Sequence, residues 1–361
     1  MQLNYHLYLN DTGYSVSAQD YILSILSVKP ELSVKVNFLN TATGVGVSKN
    51  RQQLFESMKQ KKDEKDQVSV YHSIPHRYRR PKGSKKYIGI CLFETINPPK
   101  NWINMMNEMD EIITASEFNK GVFLSNGLKK PIHVIGHAFN TELFNNKIKP
   151  MGRYRPFTFI SVGTWKKRKN WENIISAFYD AFSVKDDVCL YVKTDKPKDF
   201  SLAVQHIKKS GIWSNKETAP IYCEQKSHQI FEDIPELMSK GDVYISASLG
   251  EGFALPGLHA MALGIPIITT KFGGSLEYAK NEFATYFEPS QYKNFPVMDG
   301  IPQFQNCIWP IVPVSEISSK MIFAKNNYEL LKNKAKLGYD FVHSNFSYKT
   351  IGDKFLRAIQ T

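Results

Sequence analysis

Short apolar runs alternate with longer segments of mixed polarity along the chain. Six runs in the N-terminal part are rich in β-branched and aromatic side chains, which favours buried strands; they span 3–9, 34–39, 67–74, 87–93, 112–116 and 132–136. Between the first two, apolar residues from Val16 to Leu26 recur at helical spacing. Strands that alternate with helices predict an α/β fold with a parallel sheet and helices on both of its faces.

The same pattern begins again after a segment of linker composition that contains Lys149, Pro150, Gly152 and Pro156. An amphipathic helix is predicted at 170–182, and strands are predicted at 157–163, 188–194, 219–223, 242–248 and 266–270. Near the end, Ser347 is a suitable N-cap for a helix from Tyr348 to Ile359. We therefore expect two doubly wound domains, at 1–150 and 151–345, the second beginning near Arg153, followed by a C-terminal helix at 346–361.

Composition agrees with two soluble domains. A chain of 361 residues with 42% hydrophobic residues can form two α/β cores. No stretch resembles a signal peptide, and no run approaches the ~20 apolar residues that span a bilayer, so we expect a cytoplasmic protein of a bacterium or a phage-infected host, able to bind a membrane only peripherally. The four cysteines are far apart without C-x-x-C spacing, which indicates free thiols and no metal site; they are Cys91, Cys189, Cys223 and Cys307.

The chain is basic, with a formal net charge of +12. Its densest cationic cluster is HRYRRPKGSKK, in which Arg77, Arg79, Arg80 and Lys82 occur without an intervening acid. Such a loop attracts the phosphates of nucleic acid or of an anionic membrane. The alternative is a solvated loop that contributes only to solubility. The Lys-rich segment 59–66 also contains acids and is interpreted as a solvated helix end.

The segment GEGFALPGLHAMALGIP, from Gly250 to Pro266, lies between a predicted strand and a predicted helix. Glycines there allow the backbone to approach a ligand, and the N–H groups at a helix N-terminus favour an anion such as a diphosphate. Glu251 would repel that anion, but it can accept hydrogen bonds from sugar hydroxyls. This combination predicts a site for a sugar diphosphate; the alternative is an ordinary strand-to-helix turn with a solvated glutamate.

This segment resembles the donor-binding signature of family 4 (group 1) retaining glycosyltransferases, which have the GT-B fold. The resemblance implies two Rossmann-like domains that face an interdomain cleft, with the final helix packing back on the first domain. It implies that Gly252, Phe253, Ala254 and Leu255 bind the nucleotide-sugar donor. The second acid of the family signature is replaced by His259, whose imidazole can still hydrogen-bond a hydroxyl.

Other segments extend the resemblance over about residues 10 to 355. In NDTGYS, Gly13 would let the backbone approach the donor diphosphate. The absence of G-x-G-x-x-G at this turn argues against a nicotinamide enzyme. In VYHSIPH, His72 is similar to a histidine that contacts the transferred sugar, with His76 a weaker candidate; the alternative is a histidine bonded to loop backbone. Glu94 follows a strand and is a candidate to orient or deprotonate an acceptor hydroxyl, or else a structural hydrogen-bonding group.

The segment SVGTWKKRKNWENIISAF resembles the cationic segment that opens the second domain in the family. It includes Gly163 among the expected donor contacts, and it places Lys169 on the family's lysine with Arg168 beside it. The family's arginine position is occupied by Thr164. Lys169 and Arg168 are predicted to neutralise the leaving diphosphate without a metal; the alternative is a basic surface loop. In the turn after Gly273 and Gly274, Glu277 is a candidate ribose contact.

Together these features predict a retaining, metal-independent glycosyltransferase with Glu251, Lys169, Arg168, His72 and Glu94 as its catalytic residues. No cofactor is expected beyond the nucleotide-sugar substrate, for which UDP is the expected nucleotide. The acceptor-binding loop suits a polyanion, and a hydroxylated base in DNA is preferred over an anionic envelope lipid or lipopolysaccharide. A non-catalytic GT-B protein that binds nucleotide sugar or nucleic acid is the alternative. The sequence leaves the oligomeric state open.

Overall fold

The computed structural model describes residues 1–40, 44–148, 155–210, 213, 216–226 and 231–360. The chain forms two compact units. The first comprises Met1–Leu143, His228–Glu232 and His343–Thr361, and the second comprises Phe144–Ser227 and Asp233–Val342. The predicted linker residues Lys149, Pro150 and Gly152, together with Arg153, lie outside the described residues.

The first unit contains a parallel sheet with the order β2-β1-β3-β4-β5-β6. Its strands are β1 (Gln2–Leu7), β2 (Ser33–Phe38), β3 (Gln67–His72), β4 (Lys86–Ile90), β5 (Glu111–Thr114) and β6 (Ile132–Val134). Helices α1 (Gly13–Val28), α2 (Lys49–Lys59), α3 (Lys100–Asn107) and α4 (Glu117–Ser125) connect them. All six strands predicted in this part of the chain are therefore confirmed.

Helix α11 (Tyr348–Gln360) belongs to the first unit and packs along α1. The contact is close, because a Cβ at Gly352 would overlap the backbone carbonyl of Ser24. The Ser347 hydroxyl accepts a hydrogen bond from the Thr350 N–H at 3.3 Å, which satisfies a donor of the first turn. The apolar positions Ile351, Phe355 and Ile359, one helical turn apart, are buried.

The second unit contains a parallel sheet with the order β12-β11-β10-β7-β8-β9. Its strands are β7 (Phe157–Val162), β8 (Val188–Lys193), β9 (Ile221–Cys223), β10 (Val243–Ser246), β11 (Ile267–Thr270) and β12 (Thr285–Phe287). Its helices are α5 (Trp171–Ala181), α6 (Pro197–Lys209), α7 (Ile234–Met238), α8 (Leu255–Ala262) and α9 (Val314–Asn326); α10 (Tyr328–Phe346) leads back to the first unit. Each unit is thus a doubly wound, Rossmann-like α/β domain.

An antiparallel hairpin lies between β12 and α9, and the sequence analysis did not predict it. It consists of β13 (Gln291–Val297) and β14 (Gln305–Ile311). Most side chains of β13 are exposed, whereas Trp309 on β14 is fully buried. The turn between the strands contains Asp299, whose φ of 58° is in the left-handed region.

Candidate functional site

The order of the second sheet reverses between its two central strands, β7 and β10. Strands β8 and β9 continue in one direction from β7, and β11 and β12 continue in the other from β10. In open parallel sheets, ligands bind outside the carboxyl ends of the strands at such a reversal. The loops after β7 and β10 are joined there by a 2.7 Å hydrogen bond from the Leu249 N–H to the Arg168 carbonyl. The predicted donor residues of these two loops therefore lie together.

Three charged side chains meet where these loops join. The ammonium of Lys169 forms an ion pair with Oε1 of Glu251. Arg168 Nη1 lies 3.5 Å from Oε2 of the same carboxylate and 3.3 Å from the carbonyl oxygen of Gly250. The three side chains are only 11 to 14% exposed, so solvent screens their charges weakly. We call Arg168, Lys169 and Glu251 the charged triad.

Glu251 stays ionised in this environment. Burial alone would raise the pKa of its carboxyl, but the charges of Lys169 and Arg168 and the hydrogen bond from Lys169 outweigh burial, and the pKa is lowered from its ordinary value of 4.5. A carboxylate with its charge fixed in this way can accept hydrogen bonds from hydroxyl groups throughout the neutral range.

The lowered pKa of Glu251 predicts a pH-dependent contribution to stability. A group with a lowered folded-state pKa stabilises the fold above its unfolded pKa and loses that contribution as the pH falls through the folded pKa. We expect Glu251→Gln to reduce the free energy of unfolding by about 1 to 3 kcal/mol at pH 7. The difference in the free energy of unfolding between this variant and wild type should become smaller below about pH 4. Urea titrations at a series of pH values measure it. A difference that is independent of pH would contradict the ionised pair.

The backbone of the loop that carries Glu251 packs closely against Gly273 and Gly274. The Gly274 N–H donates to the Glu251 carbonyl at 2.8 Å. A Cβ at Gly274 would overlap the Gly252 carbonyl, and one at Gly273, where φ is 85°, would lie 2.8 Å from the Glu251 carbonyl oxygen. Because only glycine permits this approach, Gly273 and Gly274 set the position of the donor loop.

Helix α8 begins at Leu255, directly after this loop, and its N-cap is Ala254, which has a left-handed φ of 67°. Ala254 has no side-chain oxygen to cap the helix, so its first N–H groups are not covered by a capping side chain. The Tyr278 hydroxyl donates to the Ala254 carbonyl at 2.7 Å and supports this conformation. Phe253 and Leu255 are buried, so their side chains anchor this part of the loop and cannot reach a ligand.

The remaining predicted donor residues of the second unit differ in burial and in their contacts. His259 is buried on α8 and its ring stacks on Phe144 at 4.2 Å between centroids. Gly163 directly follows β7, and a Cβ there would lie 3.4 Å from Trp171 and 3.7 Å from Lys169. Thr164 is exposed, and Glu277 is half-buried in the 3-10 turn that follows Gly273. Gly163 is thus directly beside the charged triad, whereas His259 packs against an aromatic ring.

In the first unit the sheet order reverses between β1 and β3, and Gly13 and His72 are close to that point. Gly13 is the first residue of α1, whose N-cap is Thr12, and nothing lies within 4 Å of a Cβ built on it. His72 is fully buried: Nδ1 lies 2.9 Å from the Tyr5 hydroxyl and Nε2 lies 3.3 Å from the Ser17 hydroxyl. Burial, with a further contribution from His137, holds the pKa of His72 well below its usual value, so its ring is neutral.

The environment of His72 differs from that of a surface sugar contact. Both of its ring nitrogens face hydroxyls of the first unit, which is the arrangement of a histidine within a buried polar network. His76, the weaker candidate, is exposed on the 3-10 turn Pro75–Arg77. Glu94 is half-buried just after β4; burial raises the pKa of the Cys91 thiol, and the charge of Glu94 raises it further.

The predicted basic loop is exposed but only partly available. Arg80 pairs with Asp110 at 2.7 Å, and its guanidinium lies over the Tyr87 ring at 4.5 Å. Arg79 donates to the carbonyls of His76 and Tyr78. Within the described ranges, no carboxylate lies within ion-pair distance of Arg77 or Lys82. These two side chains are therefore the loop's best candidates for contacts with an external anion.

Sequence reasoning missed one charged residue of the donor region. Asp299, in the turn of the hairpin, has a fully buried side chain and lies against Arg168. It accepts a hydrogen bond from the Arg168 N–H at 3.1 Å, and its Oδ2 lies 3.3 Å from Arg168 Nε. Its signal in the sequence was Asp-Gly, a common turn pair, but nothing in the pattern linked that turn to the loop after β7.

Comparisons with known proteins agree with this architecture. The chain aligns over its full length with the crystal structure of Anabaena HepE in complex with UDP and glucose, at 13% identity and a TM-score of 0.69, covering 99% of that chain. A glycosyltransferase from Rickettsia africae aligns over 99% of this chain and 97% of its own, at 14% identity and a TM-score of 0.66. The alignment with sucrose-phosphate synthase from Thermosynechococcus elongatus covers 100% of this chain and 98% of that chain, at 11% identity and a TM-score of 0.66. The protein thus has the GT-B fold.

The family match lies mainly in the second unit, whereas the sequence relative covers more of the chain. Residues 145–295 match the family model described as glycosyl transferases group 1. This match confirms the resemblance identified in the sequence, and it contains the whole charged triad. A protein of Sulfolobus islandicus rod-shaped virus 1, "Uncharacterized protein 356", is 24% identical in an alignment of 298 residues that covers 76% of this chain and 76% of that protein.

Two further features concern metals and membranes. Across the described ranges, no group of three or more His, Cys, Asp or Glu side chains is arranged to hold a metal ion. No helix in the described part of the chain is long and apolar enough to cross a bilayer.

Proposed function

We propose that the protein is a retaining, metal-independent glycosyltransferase that moves a sugar from a nucleotide donor, with UDP as the nucleotide, to a hydroxyl acceptor. The observation that carries this proposal is the buried charged triad at the reversal of the second sheet, within the segment that matches group 1. Anabaena HepE, which shares the fold, was crystallised with UDP-glucose, and this supports a UDP-sugar donor.

The triad has the chemistry that loss of a nucleoside diphosphate requires. As the bond from the anomeric carbon to the phosphate oxygen breaks, negative charge grows on that oxygen, and fixed cations stabilise it. Lys169 and Arg168 supply these cations, together with the first N–H groups of α8. When Lys169 turns to the diphosphate, Glu251 exchanges an ammonium partner for hydroxyls of the donor sugar.

Retention follows from substitution on the face that the diphosphate leaves. The acceptor oxygen bonds to the anomeric carbon, and its proton passes to the departing phosphate oxygen, so no enzymic nucleophile is required. In this proposal Gly13 and Glu94 keep the roles that the resemblance implies, as a donor contact and an acceptor contact. His72 remains a candidate sugar contact in this proposal, and its ring nitrogens face the hydroxyls of Tyr5 and Ser17 in the ligand-free structure.

The acceptor in this proposal is a polyanion, because Arg77 and Lys82 are exposed cations without a carboxylate partner in the described structure. A hydroxylated base in DNA is the preferred acceptor, and an anionic envelope lipid is the competing one. A non-catalytic nucleotide-sugar-binding protein is the second candidate, favoured by His259, which stacks on Phe144 where the family signature has an acid.

The test is to incubate the protein with a panel of nucleotide sugars and to detect the released nucleoside diphosphate, with and without hydroxymethylated DNA. Release of UDP that increases with this DNA supports the full proposal. Release that increases only with anionic lipid vesicles assigns the lipid acceptor instead. Binding of UDP without release from any donor, alone or with either acceptor, would favour the non-catalytic candidate.

The basic loop gives a prediction about the acceptor. We expect Arg77→Ser with Lys82→Ser to raise the acceptor KM about tenfold and to leave donor hydrolysis unchanged, because each cation contacts one phosphate. With DNA, each lost contact should reduce the salt slope of log K by about 0.9. The matched control is Lys61→Ser with Lys62→Ser, which removes two exposed cations elsewhere in the first unit. An unchanged KM in the first variant would assign the loop to solubility alone.

The absence of a metal requirement gives a further prediction. We expect the rate of transfer to be unchanged within about twofold in excess EDTA, because Lys169 and Arg168 take the role of a divalent cation. Initial rates before and after exhaustive dialysis against EDTA are the measurement. A loss of activity that Mn²⁺ or Mg²⁺ restores would overturn the metal-free mechanism.

A further inference from the structure

The hairpin β13–β14 contacts the loop that carries the donor-site cations. Lys167 Nζ lies 5.6 Å from the centre of the Phe295 ring, and the next residue, Arg168, contacts Asp299 through both its backbone N–H and its guanidinium. The segment that matches group 1 ends at residue 295, so Asp299 lies beyond it. The turn of the hairpin is therefore part of the donor region's structure without belonging to the matched segment.

Asp299 is a buried carboxylate whose interactions are concentrated on Arg168. Its side chain is fully buried, and a buried carboxylate requires a charged or hydrogen-bonding partner. In the described structure its ion-pair partner is Arg168, at 3.3 Å from Oδ2 to Nε, while Oδ1 receives the Arg168 N–H. Oδ1 thus accepts a hydrogen bond from the backbone of Arg168, and Oδ2 attracts its guanidinium through an ion pair that lacks hydrogen-bond geometry.

The contact with Asp299 acts on one side of the guanidinium, and Gly250 and Glu251 lie on the other. Asp299 faces Nε, whereas Nη1 is directed to the Gly250 carbonyl and to Glu251. A guanidinium is planar, so fixing Nε limits the directions in which the Nη groups can point. Interactions that act on developing charge depend on such preorganisation.

We propose that Asp299 is a positioning residue that orients Arg168 toward the diphosphate of the donor. This inference rests on the proposed function, and it adds the hairpin to the donor site. Asp299 does not touch the substrate; it acts through Arg168.

The test uses Asp299→Asn, a substitution that changes little besides charge and hydrogen bonding. The amide oxygen can keep the bond to the Arg168 N–H, but an NH₂ group then faces Nε, donor against donor. Asparagine also tolerates the left-handed backbone of this turn. The matched control is Asp187→Asn, because Asp187 has a φ of 49°, pairs with Arg155 at 3.3 Å and belongs to the same unit.

The affinities for UDP and for uridine, measured by calorimetry, distinguish orientation from simple charge. Loss of a nearby negative charge alone would strengthen binding of the anionic UDP. We expect the opposite for Asp299→Asn: UDP binds about 5- to 10-fold more weakly, uridine binds unchanged, and Asp187→Asn matches wild type in both. UDP affinity that is equal to or stronger than that of wild type would overturn the inference.

A double-mutant cycle tests whether Asp299 acts through Arg168. In the Arg168→Ala background we expect Asp299→Asn to have no further effect on UDP affinity, and an additive loss would overturn the inference. Failure of wild type to bind UDP would count against the proposed function and would remove the ligand that Arg168 is oriented toward. Binding by wild type with no effect of Asp299→Asn would overturn the positioning role alone. If Asp299→Asn fails to fold, Asp299→Glu, which retains the charge, takes its place with the same expected loss.

Discussion

Lys169→Ala and Glu251→Ala are each expected to lower kcat at least about 100-fold while the protein remains folded. The lysine variant loses a fixed cation where the leaving phosphate develops charge, and the glutamate variant loses an acceptor for the hydroxyls of the sugar. Both interactions strengthen in the transition state, so we expect kcat to fall more than KM rises. The measurement is the steady-state rate of nucleoside diphosphate release, with circular dichroism to verify the fold.

The matched control for the lysine is Lys166→Ala. It removes the same charge from the same loop, but Lys166 is exposed and precedes the 3-10 turn Lys167–Lys169. We expect its kcat to remain within about twofold of wild type, since an exposed charge is strongly screened. If Lys169→Ala and Lys166→Ala had equal activities, the loop's general basicity would explain them, and the assignment of Lys169 would be wrong.

Gly274→Ala is expected to reduce the free energy of unfolding by about 2 to 4 kcal/mol and to abolish UDP binding. The added methyl group would occupy the position of the Gly252 carbonyl, and backbone atoms on both sides cannot rotate away as a side chain would. The donor loop must therefore move away from the turn that supports it. Urea denaturation and calorimetry with UDP are the measurements.

Gly121→Ala in α4 is the control for this substitution. Nothing lies within 4 Å of a Cβ at Gly121, so alanine should be neutral or stabilising by about 0.5 to 1 kcal/mol, as expected within a helix. If Gly274→Ala unfolded at the same urea midpoint as wild type and retained its affinity for UDP, the loop that carries Glu251 would not depend on the close contact between Gly274 and the Gly252 carbonyl.

The predictable parts of the fold were those with strong local patterns. Strands such as Val188–Lys193 are continuous apolar runs, and both sheets could be inferred from them. The hairpin was missed because each of its strands contains a proline, Pro296 in β13 and Pro310 in β14, and β13 has a largely polar, exposed face. Proline within a run normally argues against a strand.

The residues of the site that lie within a continuous sequence motif could be predicted from the sequence. The charged triad lies in two loops that each follow a strand, and the resemblance to the family identified both loops in the sequence. Asp299 could not be found in this way, because its contact with Arg168 joins positions 131 residues apart through an unpredicted hairpin. The burial of His72 also could not be read from its place at a strand end, since the sequence does not determine whether a terminal side chain points to solvent or to the core.

The pairing of the donor-site cations has a consequence for selectivity among small anions. The chain as a whole carries an excess of twelve positive charges, yet Lys169 is matched by Glu251 and Arg168 by Asp299. Free phosphate that captured Lys169 would remove the closer of the two cations beside Glu251 and leave Arg168 Nη1 at 3.5 Å, which is unfavourable for a buried carboxylate. A sugar nucleotide brings the hydroxyls that replace this lost partner. Under the proposed function, the ligand-free site would therefore discriminate by exchange of partners, and inorganic phosphate is expected to compete poorly with the intact donor.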